Sequence, residues 1–573
     1  MTEPLIINQF NRGIAQSPHL GFGKMKLVDI ESYPGAVKAG KQTVNRSFLN
    51  IWGSSYGGVS ETFTVDAGTD VCTADGDISD INQTTIAVYL TTTDTLPAGL
   101  LIDTVYFMIA EDNNDFKLAT TIANADDDTN INITDTGTGT HTIHSVDMGG
   151  IQHIVEDPRT EDVFAIDDNG RVWFQDGSAM RLLYNSALDD GSSALSQASG
   201  KGLVISRFSN TGSQNYLFAF RNGKIDVVNV YGNNEKQNPS WTNDWESLNT
   251  GLGSSNSHHA IKAQDDIIYF CDDRYVGSIS EDSGQTFDPS NGATYTVNNQ
   301  ALDLPGYEIA NWLEEHGTKL LIAGDTFGRI YPWDRLSDSF NLPINVPEKN
   351  VKKIKNIGGI VYILAGTSGN IYKTQGTYVI KFALLPIQMT DNSDSYPNYP
   401  IRWRAIGESN GNLIVGVHSL SSWNVNSGVY KIFQDGRIVL DQVPFSGSGR
   451  VTAILSTGLS YTIGYDNGVD YVGNDRYSSY EGQVESALYR VGTDKAPVAY
   501  SELEIAVAKG VSSGHVRISY RVDTDDSFTE LSDFSMDGSV LYSADIGLID
   551  IKDIQILAEL DDAPELVEIR LYE

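Results

Sequence analysis

With 75 acidic residues in a chain of 573, carboxylate chemistry is the first to weigh. Cleaving a glycosidic bond takes two carboxyl groups across it, one to give a proton and one to attack or to activate water. Adjacent pairs stand at Asp265-Asp266 and Glu314-Glu315, but in so acidic a chain such pairs arise by chance. Histidines gather at His258-His259 and at His141-x-x-His144 with His153. A histidine zinc site needs cysteine partners or helical i, i+4 placement; neither accompanies them, so they read as surface side chains. Asp126-Asp127-Asp128 and Asp523-Thr524-Asp525-Asp526-Ser527 offer oxygens to calcium. Both lack the glycine and terminal glutamate of an EF-hand loop and read as solvated turns. No Walker loop, Ser-His-Asp signature or dinucleotide fingerprint is present. The expectation is a protein with no catalytic centre, metal or cofactor.

The most specific local pattern is Ser280-Glu281-Asp282-Ser283-Gly284-Gln285-Thr286-Phe287. It resembles the Asp-box of sialidase-like propellers, Ser-x-Asp-x-Gly-x-Thr followed by an aromatic. Its mechanics are those of a tight hairpin, in which Asp282 and Thr286 bond the turn backbone, Gly284 supplies a permissive φ and Phe287 packs inward. The resemblance implies a structural role for Ser280, Asp282, Gly284, Thr286 and Phe287, at a blade rim away from any active site. A sialidase would also need three arginines gathered on the substrate carboxylate. Arg402, Arg404, Arg450 and Arg476 are the candidates, and no family signature surrounds them.

These residues must be positioned by strands. Between residues 150 and 480 one phrase recurs seven times: an apolar run, a turn, a second apolar run. The first copy is Val163-Phe164-Ala165-Ile166, then Asp167-Asp168-Asn169-Gly170, then Arg171-Val172-Trp173-Phe174. Others start near Tyr216, Ile267, Leu320, Val361, Leu413 and Tyr461. Their irregular spacing lies within or somewhat above the ~40–50 residues of propeller repeats. Each phrase is expected to supply two inner strands of a blade. Turns such as Arg221-Asn222-Gly223-Lys224, Thr367-Ser368-Gly369-Asn370 and Gln434-Asp435-Gly436-Arg437 carry the residues that tolerate positive φ. Long helical periodicity is absent. The best short helix candidate, Glu308 to Glu315, spans barely two turns.

The predicted fold is all-β, a propeller of about seven blades with an inserted small β-domain and a C-terminal β-sandwich. Residues 1–60 form an extended arm punctuated by Gly13, Pro18, Gly21, Gly23, Pro34, Gly35 and Gly40. Its apolar Leu20, Phe22, Met25, Leu27, Val28 and Ile30 have no local core to enter. The arm is therefore expected to bury itself against its own propeller or a neighbouring subunit and to serve assembly. Residues 61–148 form the small β-domain, 149–495 the propeller, and 496–573 the sandwich, where Val516-Arg517-Ile518-Ser519-Tyr520 alternates apolar with polar.

The net charge of −36 argues against phosphate-mediated binding of nucleic acid, which needs a basic stripe. Such acidity keeps a protein soluble, and it also suits a surface that repels polyanions. Only Cys72 and Cys271 are present, so no disulfide framework exists. The N-terminus has no basic and apolar signal regions, and the longest apolar run, Gly358 to Gly366, is half a membrane span. The expectation is a soluble protein made in a reducing cytoplasm.

Taken together the segments resemble a virion protein of tailed bacteriophages. Gly13-Ile14-Ala15-Gln16-Ser17-Pro18 followed by Asp29-Ile30-Glu31-Ser32-Tyr33-Pro34-Gly35 is similar to the start of tail nozzle or hub proteins of short-tailed phages. Thr95-Leu96-Pro97-Ala98-Gly99-Leu100, continuing through Phe116-Lys117-Leu118-Ala119-Thr120 to Asp135-Thr136-Gly137-Thr138-Gly139-Thr140-His141-Thr142, resembles a small β-module of phage structural proteins. The resemblance implies a homo-oligomer, a hexamer, continuing the portal channel below an adaptor. Its partners would be that adaptor, tail fibres or spikes, and DNA passing non-specifically through an acidic channel. The implied location is the virion tail, after synthesis in the host cytoplasm. The alternative is a receptor- or glycan-binding virion protein using tryptophans and tyrosines of a propeller face or the sandwich, or, further off, a glycan hydrolase.

Overall fold

The computed structural model describes residues 59–573 apart from short turns and the longer stretches 186–201, 248–260, 386–403, 418–427 and 443–450. Before residue 59 it describes Leu5–Ile7 and the backbone of Lys24–Lys26, Val28–Asp29, Lys38–Ala39 and Lys41–Asn45. The described chain is nearly all β, with two helices of five residues each, Ile122–Asp126 and Asn233–Gln237. Neither is long and apolar enough to cross a membrane.

Four-stranded antiparallel units follow one another from residue 151 to 476. Their first strands are Ile151–Glu156, Gly202–Ile205, Ile261–Gln264, Ala310–His316, Val351–Ile357, Ile406–Ser409 and Ala453–Ser456, opening sheets one to seven. Each first strand lies beside the next, and Ala453–Ser456 lies beside Ile151–Glu156. The sheets thus form a closed, propeller-like ring with the first strands innermost.

The recurring phrase therefore does not supply the innermost strands, contrary to the sequence expectation. It supplies the second and third: Val163–Asp167 and Val172–Asp176 pair with each other, and Ile151–Glu156 lies inside them. Middle strands are covered on both faces, so they read as unbroken apolar runs. Asn412–Val417 and Tyr216–Arg221 are buried at every position. The inner strands also line the axis and carry polar residues, which hides them. The best short helix candidate, Glu308 to Glu315, also falls on a strand, Ala310–His316. A β-bulge between Ala310 and Trp312 breaks the strand alternation there, so the apolar residues do not follow a period of two.

The arm is stitched into its own chain. Lys41–Asn45 forms the fourth strand of sheet seven, pairing with Asp470 to Arg476. Lys24–Lys26 runs parallel to Ile438–Gln442 of sheet six and antiparallel to Gly482–Glu485. Leu5–Ile7 adds an edge to Leu566–Tyr572. Its described strands need no neighbouring subunit to pair with.

Residues 60–145 close into a six-stranded barrel in the order Asp115–Ala119, Val71–Ala74, Ser60–Asp66, His141–Ser145, Ala87–Thr92, Val105–Ala110. Phe63, Cys72, Leu90, Met108, Phe116 and Ile143 fill it. Its outer face, with Val105, Phe107 and Ala119, shares a core with Phe164, Phe174 and Leu203 of sheets one and two. The C-terminal unit packs the sheet of Val498–Val507 and Leu566–Tyr572 against that of His515–Arg521 and Asp553–Asp561. It draws Gly482–Glu485 into the second sheet, earlier than the boundary at 496. Its core reaches Phe433 and Val439 of sheet six.

Candidate functional site: the axial cavity

The inner strands line an open cavity of about 460 Å3, and every one of the seven contributes to its wall. Its wall mixes apolar side chains, among them Ile154, Leu203, Ile261, Leu313 and Ile454, with polar groups in about equal measure. Two of the lining side chains stand beside bulges, where an extra residue re-aims the next side chain. One bulge between Ile151 and His153 turns His153 to the axis; that between Ala310 and Trp312 does the same for Trp312.

Arg404, just before the first strand of sheet six, is the group that most shapes this space. In a ring of seven sheets, sheet six stands opposite sheets two and three. Yet the Arg404 guanidinium reaches His153 of sheet one, with Nη1 2.9 Å from Nε2, and lies over Gly202 of sheet two. A Cβ at Gly202 would sit 2.5 Å from Nη2, so the glycine is what admits the guanidinium. The side chain thus spans the axis where the inner strands begin. Burial pushes the Arg404 pKa down to about 9, with Cys271 opposing the shift; the group stays cationic at neutral pH. The Leu203 N–H donates to Nδ1 of His153 at 2.9 Å.

Lys262 also lines the cavity, as do Lys355 and Glu314, paired at 3.5 Å, and Glu156. The Asn356 N–H donates to Glu314 as well. Burial, then the charges of Glu161 and Asp157, raise the Glu156 pKa. Three cationic side chains therefore face two carboxylates. Among the described residues the lining of this cavity is not acidic, despite the −36 charge of the whole chain.

The residues singled out in the sequence do not converge. Asp265 and Asp266 sit exposed in the turn between two strands of sheet three, both at positive φ, and Asp265 meets Arg335 at 2.6 Å. Glu314 and Glu315 are neighbours on a strand, so the pleat sends them to opposite faces; Glu314 faces the axis. His141 Nδ1 lies 2.9 Å from Thr92 Oγ1, and His144 Nε2 2.8 Å from Thr91 Oγ1, on the barrel wall rather than at large on the surface. His141 is buried, and burial lowers the His144 pKa. Among the described residues no group of three His, Cys, Asp or Glu could hold a metal. His258, His259, Arg402, Arg450 and Asp523 to Asp525 lie outside the described residues, as does the Arg476 side chain.

Ser280 is next to last in the third strand of sheet three, Tyr275–Glu281, and Asp282 to Phe287 lead toward the fourth, away from the cavity. Thr296 Oγ1 donates to Asp282 at 2.7 Å, and Gly284 has φ +76°. The Phe287 N–H donates to Glu281, a residue the motif leaves free. Thr286 is near the exposed tip of the same connection. Phe287 itself is fully buried among Phe208, Tyr216, Phe218, Trp245 and Tyr295, with ring centroids 4.8–5.7 Å away.

Of the cavity groups, sequence reasoning had picked out Arg404, His153 and Glu314, each for another chemistry. It missed Lys262, Lys355, Glu156 and Trp312, which share no motif. The signal that would have found them is position: each lies on the strand preceding a recurring phrase.

No family model matches the sequence, and no curated protein does. Two solved structures resemble the chain weakly. One is the computationally designed Ika8 protein, at 15% identity over 57% of this chain and 96% of that one, with a TM-score of 0.34. The other is the Pan2 WD40 domain of Neurospora crassa, at 9% identity over 58% and 92%, with a TM-score of 0.35. Likeness at this level carries no functional argument.

Proposed function

We propose that this chain is a non-enzymatic structural protein of a phage tail, a seven-bladed propeller that assembles in several copies into a tube for genome passage. The observation that best supports this reading is the behaviour of the segment with the sharper phage resemblance. Residues 95–142 lie within a closed barrel that has its own core, as a module recurring among structural proteins must. The −36 charge fits a conduit wall, because carboxylates hold no phosphates and release no counterions.

The conduit cannot be the propeller axis. A cavity of 460 Å3 crossed by Arg404 is the size of a small-molecule site, whereas a duplex has a major groove alone about 12 Å wide. In this reading the acidic channel lies between subunits, in a homohexamer bound to an adaptor above and to fibres or spikes at its sides. Electron microscopy of the purified protein and of virions tests it. A sixfold ring with a through-channel is expected; a monomer, or a trimer without a channel, would overturn it.

A receptor- or glycan-binding virion protein is the second reading, favoured by one observation: the axial cavity has the volume of a ligand pocket. Glycan hydrolysis is not proposed, since Glu314 is held in an ion pair with Lys355.

A further inference from the structure

We propose that the free edge of sheet five docks on the free edge of the C-terminal unit in a second copy of this chain. The inference rests on the self-assembly reading above and names the two surfaces that would carry it.

Charge is the first observation. Residues 349–385 hold six lysines, Lys349, Lys352, Lys353, Lys355, Lys373 and Lys381, and no carboxylate. In a chain with 75 acidic and 39 basic residues this sheet is an exception. Lys352 and Lys353 are buried, and Lys355 is paired with Glu314. Lys349 and Lys381 are exposed, while half-buried Lys373 lies 4.0 Å over the Phe382 ring. None of these three forms an ion pair among the described residues.

The rim of the C-terminal unit shows the reverse. Thr529–Ser535 and Leu541–Ile551 lie in contact there, each the last strand of its sheet. Residues 529–551 hold five carboxylates and no lysine, arginine or histidine. Glu530 and Asp533 are engaged with Arg517 and His515. Asp545 and Asp550 are exposed and form no ion pair among the described residues.

Unpaired backbone is the second observation. Among the described residues, Ile380–Leu384 pairs only with Asn370–Thr374, and Leu541–Ile551 only with Val498–Val507. Each presents a row of N–H and C=O groups that another strand can meet. Both edges also expose apolar side chains, Tyr378 and Ile380 on one and Leu541 and Ile549 on the other. Tyr378 and Ile380 border an open, mostly apolar groove of about 340 Å3, with room for such a side chain.

Charge also decides which edges meet. Lysine on an outer strand keeps that edge from its own copy. Two sheet-five edges repel, as do two sandwich edges, and only the unlike pair attracts. The contact is therefore heterologous, joining different surfaces of successive copies. Heterologous contacts are the kind that close into rings.

Sedimentation velocity of the full-length chain tests this with two exposed substitutions, Lys381→Glu and Asp545→Lys. Each alone places like charges across the contact and should weaken assembly about tenfold. Mixed together, the two variants should assemble like the parent, because each supplies the edge that the other has reversed. Backbone hydrogen exchange at Ile380–Leu384 and Leu541–Ile551 should be slower in the parent assembly than in either variant alone. If the parent assembles but the substitutions leave it intact, or if mixing restores nothing, the contact is overturned and the assembly reading stands. A monomeric parent overturns both. If that monomer binds heparin and Lys381→Glu abolishes the binding, the basic edge serves an acidic glycan instead.

Discussion

The Tyr331 hydroxyl donates a 2.7 Å hydrogen bond to the buried carboxylate of Glu308. Sheet five repeats the device, with the Tyr372 hydroxyl donating to Glu348 at 2.7 Å. In both, a glutamate just before the innermost strand is anchored on a third-strand tyrosine of the same sheet. In both a glycine makes room: a Cβ on Gly324 would collide with Glu308, and one on Gly366 with Glu348. The loop entering each sheet is thereby tied to the sheet's own body. The phenols are pushed up, by burial first and the carboxylate second, Tyr372 to about 12, so they remain donors at any physiological pH.

Tyr331→Phe removes the donor and leaves Glu308 buried. The expected loss is ~1–3 kcal/mol, the cost of an unmet buried acceptor. Denaturant unfolding measures it, and a variant as stable as the parent would show that the Thr326 and Ile309 N–H groups suffice for Glu308.

Asp167 predicts a specific pH dependence. It is fully buried and accepts from Trp173 Nε1 at 3.0 Å and from the Arg171 and Gly149 backbones. Burial, only partly offset by Trp173, raises its pKa from 3.8 to about 6. The folded state therefore holds this proton more tightly than the unfolded chain. Its contribution to stability grows as pH falls from above 6 to below 3.8, by up to ~3 kcal/mol. The difference in unfolding free energy between parent and Asp167→Asn should shift in the parent's favour over that window. A pH-independent difference would contradict the assignment.

Phe287→Ala empties the aromatic cluster between sheets two and three. A fully buried phenylalanine with five ring neighbours should cost ~3–5 kcal/mol on truncation. Asp282→Ala loses one exposed hydrogen bond, from Thr296, and should cost ~1 kcal/mol or less. Thermal unfolding of the two variants ranks them, and the reverse order would show that the turn matters more than the aromatic anchor.

Deleting residues 1–45 should destabilise the monomer itself. It removes the fourth strand of sheet seven, the strand between sheet six and the C-terminal unit, and an edge of that unit. Faster hydrogen exchange at Asp470 to Val472 and a lower melting temperature are expected. A truncated chain that melts like the parent, yet fails to assemble, would return the arm to an intermolecular role.

The strand-rich character of the chain, its recurring phrase and its turn glycines were legible in the residues alone. A strand buried on both faces must be apolar throughout, and a tight turn at positive φ selects glycine or asparagine, as at Gly170, Gly223 and Gly436. These are local constraints, written in adjacent residues. Which strands face the axis was not local. Ile151–Glu156 and Ala310–His316 carry bulges, so their alternation is broken, and their polar residues are meaningful only once seven such strands are brought together. Arg404 shows the point most clearly. Its neighbours in sequence say nothing of His153, 251 positions away, or of Gly202, whose missing side chain admits the guanidinium. Composition announced an acidic protein, but only closure of the ring decided which charged residues would meet at its centre.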